Sequence, residues 1–251
     1  MKCYQFVFSP TGGTKRVADA LTQSWPQPES IDLSAPDARE AVPVCEADGL
    51  ALIAMPSFGG VAPRLALERL ASIRGNGARC VIAAVYGNRA YEDTLVQMAD
   101  YAEKAGFRVI AAVSAVAEHS IVHQYAAGRP DETDRRELGE FGARILEKAG
   151  RGELSTPAIP GNRPYKSAGG GMIPRADASC TGCGLCARRC PAGAIAAENP
   201  RATDKGKCIS CMRCVSECPA KARKVSGLMT SIAALAIKKA CSVRRANELF
   251  L

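Results

Sequence analysis

Apolar and polar positions divide residues 1–150 into short apolar runs that alternate with amphipathic stretches. Lys2 to Phe8 alternates and is rich in Cys, Tyr, Phe and Val, which predicts a strand, and Lys15 to Ser24 carries Val17, Ala18 and Leu21 in helical rhythm. Ser30 to Leu33 predicts a short second strand. Gly49 to Met55 and Ala78 to Tyr86 are apolar throughout, as strands buried on both faces are. Arg64 to Ile73 and Glu92 to Lys104 predict the helices after them, Phe107 to Val116 a fifth strand, and Asp131 to Lys148 a last helix. Strands and helices alternate, which predicts an α/β fold with a parallel sheet covered on both sides.

The pattern then changes. From Arg151 to Ala178 periodicity disappears into Thr156-Pro-Ala-Ile-Pro-Gly-Asn-Arg-Pro164 and Ser167-Ala-Gly-Gly-Gly-Met172, a connector with a semi-rigid Pro-containing half and a compliant Gly-rich half. Near the end, Ser226 to Lys239 predicts an apolar helix with Leu228, Ile232, Leu235 and Lys239 at helical spacing. Such a helix would brace what precedes it, bridge back to the sheet, or form a homodimer contact.

Between connector and helix lie eight of the chain's twelve cysteines, in two copies of one pattern. The copies are Cys180-Thr-Gly-Cys183-Gly-Leu-Cys186-Ala-Arg-Arg-Cys190-Pro191 and Cys208-Ile-Ser-Cys211-Met-Arg-Cys214-Val-Ser-Glu-Cys218-Pro219. Three thiolates on such short spacers can wrap one iron-sulfide cube, and the proline after the fourth bends the chain away without leaving a donor unpaired. Zinc would leave the third cysteine of each run idle. Disulfides require an oxidising compartment, and no secretory signal is visible. Over roughly 50 residues this stretch resembles the two-cluster bacterial ferredoxins. That resemblance implies two 4Fe-4S clusters with exchanged fourth ligands: Cys180, Cys183, Cys186 and Cys218 on cluster 1, and Cys208, Cys211, Cys214 and Cys190 on cluster 2.

Ser9-Pro-Thr-Gly-Gly-Thr14, between the first strand and first helix, suits a phosphate, because hydroxyls and backbone N–H groups meet there at the positive end of a helix. It resembles the flavin mononucleotide (FMN) phosphate loop of flavodoxins, with Ser9, Thr11 and Thr14 donating hydroxyls and Gly12 and Gly13 permitting close approach, although Pro10 brings no N–H. The flavodoxin-like fold implies a doubly wound five-stranded sheet of order 2-1-3-4-5 over residues 1–150, with its ligand at the carboxyl ends of the strands. Ser57, Phe58, Gly59 and Gly60 then flank one face of the flavin ring, and Tyr86, Gly87, Asn88, Arg89 and Tyr91 the other, with Phe58, Tyr86 and Tyr91 as stacking candidates. Taken whole, the chain resembles the flavodoxin-ferredoxin fusion proteins of anaerobes. The expected organisation is a flavodoxin-like unit at 1–150, a linker at 151–178, a small α+β ferredoxin unit at 179–225 and a C-terminal helix at 226–251.

His119 and His123 follow the fifth strand. A His-x-x-x-His metal site is disfavoured because no acidic third ligand is evident, whereas His119 or Ser120 could touch a flavin or a substrate. Of the remaining cysteines, Cys3 and Cys80 are expected to be buried small hydrophobes, and Cys45 and Cys241 belong to no motif.

Composition narrows the setting. The chain is 47% hydrophobic and 23% charged, with no apolar stretch long enough to span a bilayer, and a reducing cytoplasmic location is expected. Its net charge of +8 is uneven: residues 180–251 carry thirteen Lys and Arg against four Asp and Glu. No nucleic-acid recognition motif or stacking platform accompanies that excess. The expected function is electron transfer between FMN, the two clusters and a redox partner protein. An FMN-dependent reductase of a small-molecule oxidant, with His119, Arg89 and Tyr91 beside the ring, and a flavin-free docking scaffold are the alternatives.

Overall fold

The computed structural model describes residues 1–38, 44–168 and 171–251. Strands β1 (Cys3–Val7), β2 (Glu29–Asp32), β3 (Leu50–Pro56), β4 (Arg79–Tyr86) and β5 (Arg108–Val116) alternate with helices α1 (Gly13–Leu21), α2 (Arg64–Leu70), α3 (Thr94–Lys104) and α4 (Glu132–Gly150). There follow β6 (Arg175–Ala176), α5 (Leu185–Arg188), α6 (Arg213–Ser216), β7 (Arg223–Lys224), α7 (Gly227–Cys241) and β8 (Glu248–Phe250). The first five strands are mutually parallel in the flavodoxin-like order β2-β1-β3-β4-β5.

The alternation of side chains along β1 and β3 sends Tyr4, Phe6, Ile53 and Met55 to one face, against α2 and α3, and Val7 and Leu52 to the other, against α1 and α4. Each fully buried side chain of this size contributes roughly 1.5–3 kcal/mol. Trp25, the chain's single tryptophan, lies on the α1–α4 side and donates its indole N–H to the Gly142 carbonyl at 3.0 Å. Cys3, Cys45, Cys80 and Cys241 are all buried.

The sheet has a sixth strand that the apolar pattern does not predict. Three residues of the expected C-terminal helical segment form β8, antiparallel to β5, while the helix ends at Cys241. The open edge of β5 recruits them: Asn247 accepts from the Val116 N–H at 2.9 Å, and Glu248 accepts from the Ser114 hydroxyl at 2.8 Å.

The Pro-containing half of the connector and the two residues after it are tied to α3 and the residue before it. Asp93 accepts from the backbone N–H groups of Asn162 and Lys166, both at 2.8 Å, and Arg163 and Tyr165 converge on Asp100. Gly169 and Gly170, in the Gly-rich half, lie outside the described residues. The cysteine-bearing segment is tied by the two-stranded β6–β7 sheet.

Candidate metal and cofactor sites

The two cysteine runs fold as a repeat. In the first, Gly182 and Gly184 take left-handed φ angles of 73° and 70°; in the second, Ser210 and Met212 take 55° and 63° at the equivalent places. Left-handed residues within so short a loop turn successive N–H groups inward, a concavity suited to an anion. A non-glycine residue holds that conformation at a cost of about 1–2 kcal/mol, so what the loop surrounds must compensate. Each run then starts a one-turn helix, α5 or α6, that carries its third cysteine.

One small cavity is lined by Cys208, Cys211 and Cys214 of the second run together with Cys190 of the first. A second is lined by Cys180, Cys183 and Cys186 of the first run together with Cys218 of the second. The fourth cysteine of each run therefore faces the other run. Around the sulfurs lie N–H donors: Ala194 N–H points to Cys190 Sγ at 3.3 Å. Burial acts to raise the Cys218 thiol, but backbone donors at Arg223, Ala222 and Ala220 outweigh it and hold the thiol below its ordinary value. Burial pushes Cys211 up to about 11 and Cys214 up to about 12, so these sulfurs need a metal to become thiolates at neutral pH. Among the described residues no three His, Cys, Asp or Glu side chains converge tightly enough for a single metal ion. The ligands of a cubane stand farther apart than those of one ion, and four sulfurs around a shared cavity fit it.

At the carboxyl ends of the strands lies a cavity of about 580 Å³. Its floor comes from the sheet loops: Thr11, Gly13 and Thr14 after β1; Ser57, Phe58 and Gly59 after β3; Tyr86, Gly87 and Arg89 after β4; and His119 after β5. Its roof comes from Met172, from Cys208 to Cys211 of the second cysteine run, and from Ala233 and Ile237 of α7. Ser120, expected beside a ligand, lines the cavity too, whereas the roof and the flank at Ile121 and Val122 supply lining that apolar periodicity could not find, because nothing local in those segments marks them as facing the sheet. Only the helical spacing of α7 hinted at a bridging role.

The phosphate loop retains free donors. The N–H groups of Thr11, Gly13 and Thr14 and the Thr11 and Thr14 hydroxyls have no hydrogen-bond partner among the described residues, and α1 aims its positive end at the same spot. These donors fit a phosphate. Arg16, beside Gly12, brings a cation close by.

Several expected flavin contacts lie elsewhere. Ser9 accepts from the Lys15 N–H at 2.9 Å in the first turn of α1, which leaves its O–H free to donate, but it does not line the cavity. Asn88 is buried and holds the C-terminal tail: its amide donates to the carbonyls of Cys241 at 3.0 Å and Val243 at 2.8 Å and accepts from the Arg245 N–H at 3.1 Å. Tyr91 packs edge-on against Tyr86 and donates to Glu248 at 3.0 Å, a partner in the unforeseen β8. Gly12 and Gly60 do not line the cavity either, and Gly60 backs onto the Glu92 carboxylate.

His119 lies flat against Gly87, where any Cβ would stand 2.7 Å from the imidazole. Its Nδ1 accepts from the backbone N–H groups of Ile121 and Val122, each at 3.1 Å, which leaves the ring proton on Nε2. Burial lowers its pKa, and protonation of Nδ1 would break both bonds, so the ring stays neutral. His123 instead pairs with Glu118 at 2.7 Å, and the two histidines share no site.

Two buried arginines join the cysteine runs to the sheet. Arg213, between Cys211 and Cys214, donates to the Pro10 carbonyl at 3.2 Å, to the Ser34 carbonyl at 2.6 Å and to the Ser34 hydroxyl at 2.8 Å. Arg69 of α2 donates to the Pro191 carbonyl at 2.8 Å and to the Leu33 carbonyl. Pro10, which offers the phosphate loop no N–H, thus serves it through its carbonyl.

Residues 177–223 match the 4Fe-4S dicluster domain family, so the chain carries an iron-sulfur dicluster domain behind its flavodoxin-like sheet. No curated protein matches the chain. Among solved structures it is similar to a short-chain flavodoxin associated with a non-canonical PDU bacterial microcompartment, at 19% identity and a TM-score of 0.38, covering 59% of this chain and 99% of that one. No helix among the described residues is long and apolar enough to cross a membrane.

Proposed function

We propose that the chain is an electron-transfer flavo-iron-sulfur protein that holds FMN in the cavity at the strand ends, next to cluster 2. The observation that carries this reading is the shared lining: Thr11 and Thr14 of the phosphate loop and Cys208 and Cys211 of the second cysteine run face one cavity, while no cysteine of the cluster 1 set does. The order of centres is therefore flavin, cluster 2, cluster 1. When bound, FMN supplies a centre that takes one or two electrons, whereas each cluster passes one.

The chain's own residues bind and orient. Thr11, Gly13 and Thr14 hold the phosphate; Phe58 and Tyr86 border the ring; Gly87 lets His119 approach. Arg213 and Arg69 fix the cysteine runs over the sheet, and α7 excludes water from above. The ligands are Cys190, Cys208, Cys211 and Cys214 for cluster 2, and Cys180, Cys183, Cys186 and Cys218 for cluster 1.

Anaerobic purification followed by flavin and iron assays tests this. About one FMN and about eight irons per chain are expected, given two four-iron ligand sets. Cys190→Ser should perturb the electron paramagnetic resonance signal of cluster 2 and spare that of cluster 1, and Cys218→Ser the reverse. Four irons per chain, or both signals lost equally in each variant, would refute the exchanged ligand sets. One observation favours reduction of a small oxidant as a second activity: His119, neutral with its proton on Nε2, lines the cavity and brings a hydrogen-bond donor for a substrate. Turnover by the purified chain without a second redox protein would establish it.

A further inference from the structure

We infer that the surface over cluster 1 is the docking site for an acidic one-electron carrier protein, and that Arg188, Arg201 and Lys221 recognise its carboxylates. This rests on the order of centres proposed above, in which cluster 1 is the end remote from the flavin.

Cys183 is the exposed member of the cluster 1 set, so the outer end of that set is open to solvent. Each of the three cations belongs to a loop that carries or lines that set, and all three are exposed. Arg188 donates to the carbonyl of Cys183 at 3.2 Å, and Arg201 to the carbonyl of Cys180 at 2.7 Å. Lys221 follows Cys218-Pro219, and its backbone N–H donates to the Cys218 carbonyl at 3.1 Å. None of the three has a carboxylate partner among the described residues. The neighbouring charges cancel: Arg189 pairs with Glu217 and Lys224 with Asp177. Glu198 is the one unpaired carboxylate on these loops among the described residues.

The clusters themselves do not account for the excess. Residues 180–251 carry thirteen Lys and Arg against four Asp and Glu, and two formally dianionic clusters would offset less than half of that surplus. The arginines are also pre-organised. One donor of each guanidinium is held by a loop carbonyl, and the remaining donors face water in the planar fork that matches a carboxylate. A partner carboxylate would meet a side chain that has already lost much of its freedom, which lowers the entropy cost of docking. In the docked pair one electron passes between cluster 1 and the carrier's centre; one is oxidised as the other is reduced, and no bond forms or breaks.

The test uses the full chain, purified anaerobically with its iron content and reducible clusters verified first. An acidic flavodoxin carrying a fluorescent label is the probe, and a basic cytochrome c the control. Binding of the flavodoxin should weaken steeply with added salt, as steered association between opposite charges does. Lys221→Glu, whose ammonium bonds nothing among the described residues, should weaken it several-fold, and the triple reversal with Arg188→Glu and Arg201→Glu about ten-fold or more. Cytochrome c should gain affinity from the same changes. Loaded, reducible clusters with flavodoxin binding indifferent to salt and to Lys221→Glu would overturn the docking surface alone. A chain that takes up no iron would overturn the parent reading and this surface with it.

Discussion

Arg213 is the side chain that ties the second cysteine run to the sheet loops beside the cavity at the strand ends, and Arg213→Ala tests that directly. The side chain is 5% exposed and makes three hydrogen bonds to the sheet loops, at 2.6 Å and 2.8 Å to Ser34 and at 3.2 Å to Pro10. Ser34 is fully buried, so truncation leaves its carbonyl without a partner, at about 1–3 kcal/mol, while its hydroxyl keeps its bond to Asp32. The ion pairs with Asp32 at 3.4 Å and Glu217 at 3.5 Å involve partly exposed carboxylates and add little. The expected loss is about 2–4 kcal/mol, from the lost charge-assisted hydrogen bonds and the orphaned carbonyl. It should fall on the junction between the two units. Denaturant titration followed at two signals reads it: Trp25 fluorescence reports the sheet, and visible absorbance reports the clusters. The two transitions should coincide in the wild type, and in the variant the cluster transition should move to lower denaturant. Arg213→Lys, which keeps the charge but not the fork, should fall between them. Coincident transitions in Arg213→Ala with a loss below about 1 kcal/mol would refute the clamp.

Two further outcomes follow from the same contacts. Burial acts to raise the Asp134 carboxyl, but hydrogen bonds from the Arg129 guanidinium, the Asp131 backbone N–H and the Asn247 amide outweigh it and hold the carboxyl well below its usual range. Because its folded pKa is depressed, its stabilisation is present above about pH 4 and is lost as pH falls below that towards the folded value; Asp134→Asn should cost about 3–5 kcal/mol at neutral pH and flatten the acid limb of stability, read by Trp25 fluorescence. Asn88→Ala removes three hydrogen bonds to the tail and should release β8 at a cost of about 2–3 kcal/mol, seen as faster hydrogen exchange at residues 247–250 with β1 to β4 unchanged.

Most of the architecture was legible along the chain. The strands from β1 to β5 and the helices from α1 to α4 follow from apolar periodicity, because a strand or helix face is defined within a few neighbouring residues. The repeated cysteine spacing is equally local: four ligands and a proline lie within twelve positions, so residue type and interval together identify the chemistry. The left-handed positions at Ser210 and Met212 were not visible in this way, since only the first run marks them with glycine.

Tertiary structure decided everything that joins distant segments. Asn88 and Tyr91 sit in a loop that suits a flavin ring, and the sequence places them there; the fold turns Asn88 to Val243, 155 residues on, and Tyr91 to Glu248, 157 residues on. The open edge of β5 drew three residues into a strand too short to carry a period of its own. Arg213 reads as a solvated charge between two cysteines until the loops after β1 and β2 close over it, 179 or more residues away in sequence. Hydrophobic period and ligand spacing are properties of consecutive residues, which the chain alone determines. Which polar group satisfies which partner, and what roofs the cavity, depends on surfaces that exist only once the sheet has formed.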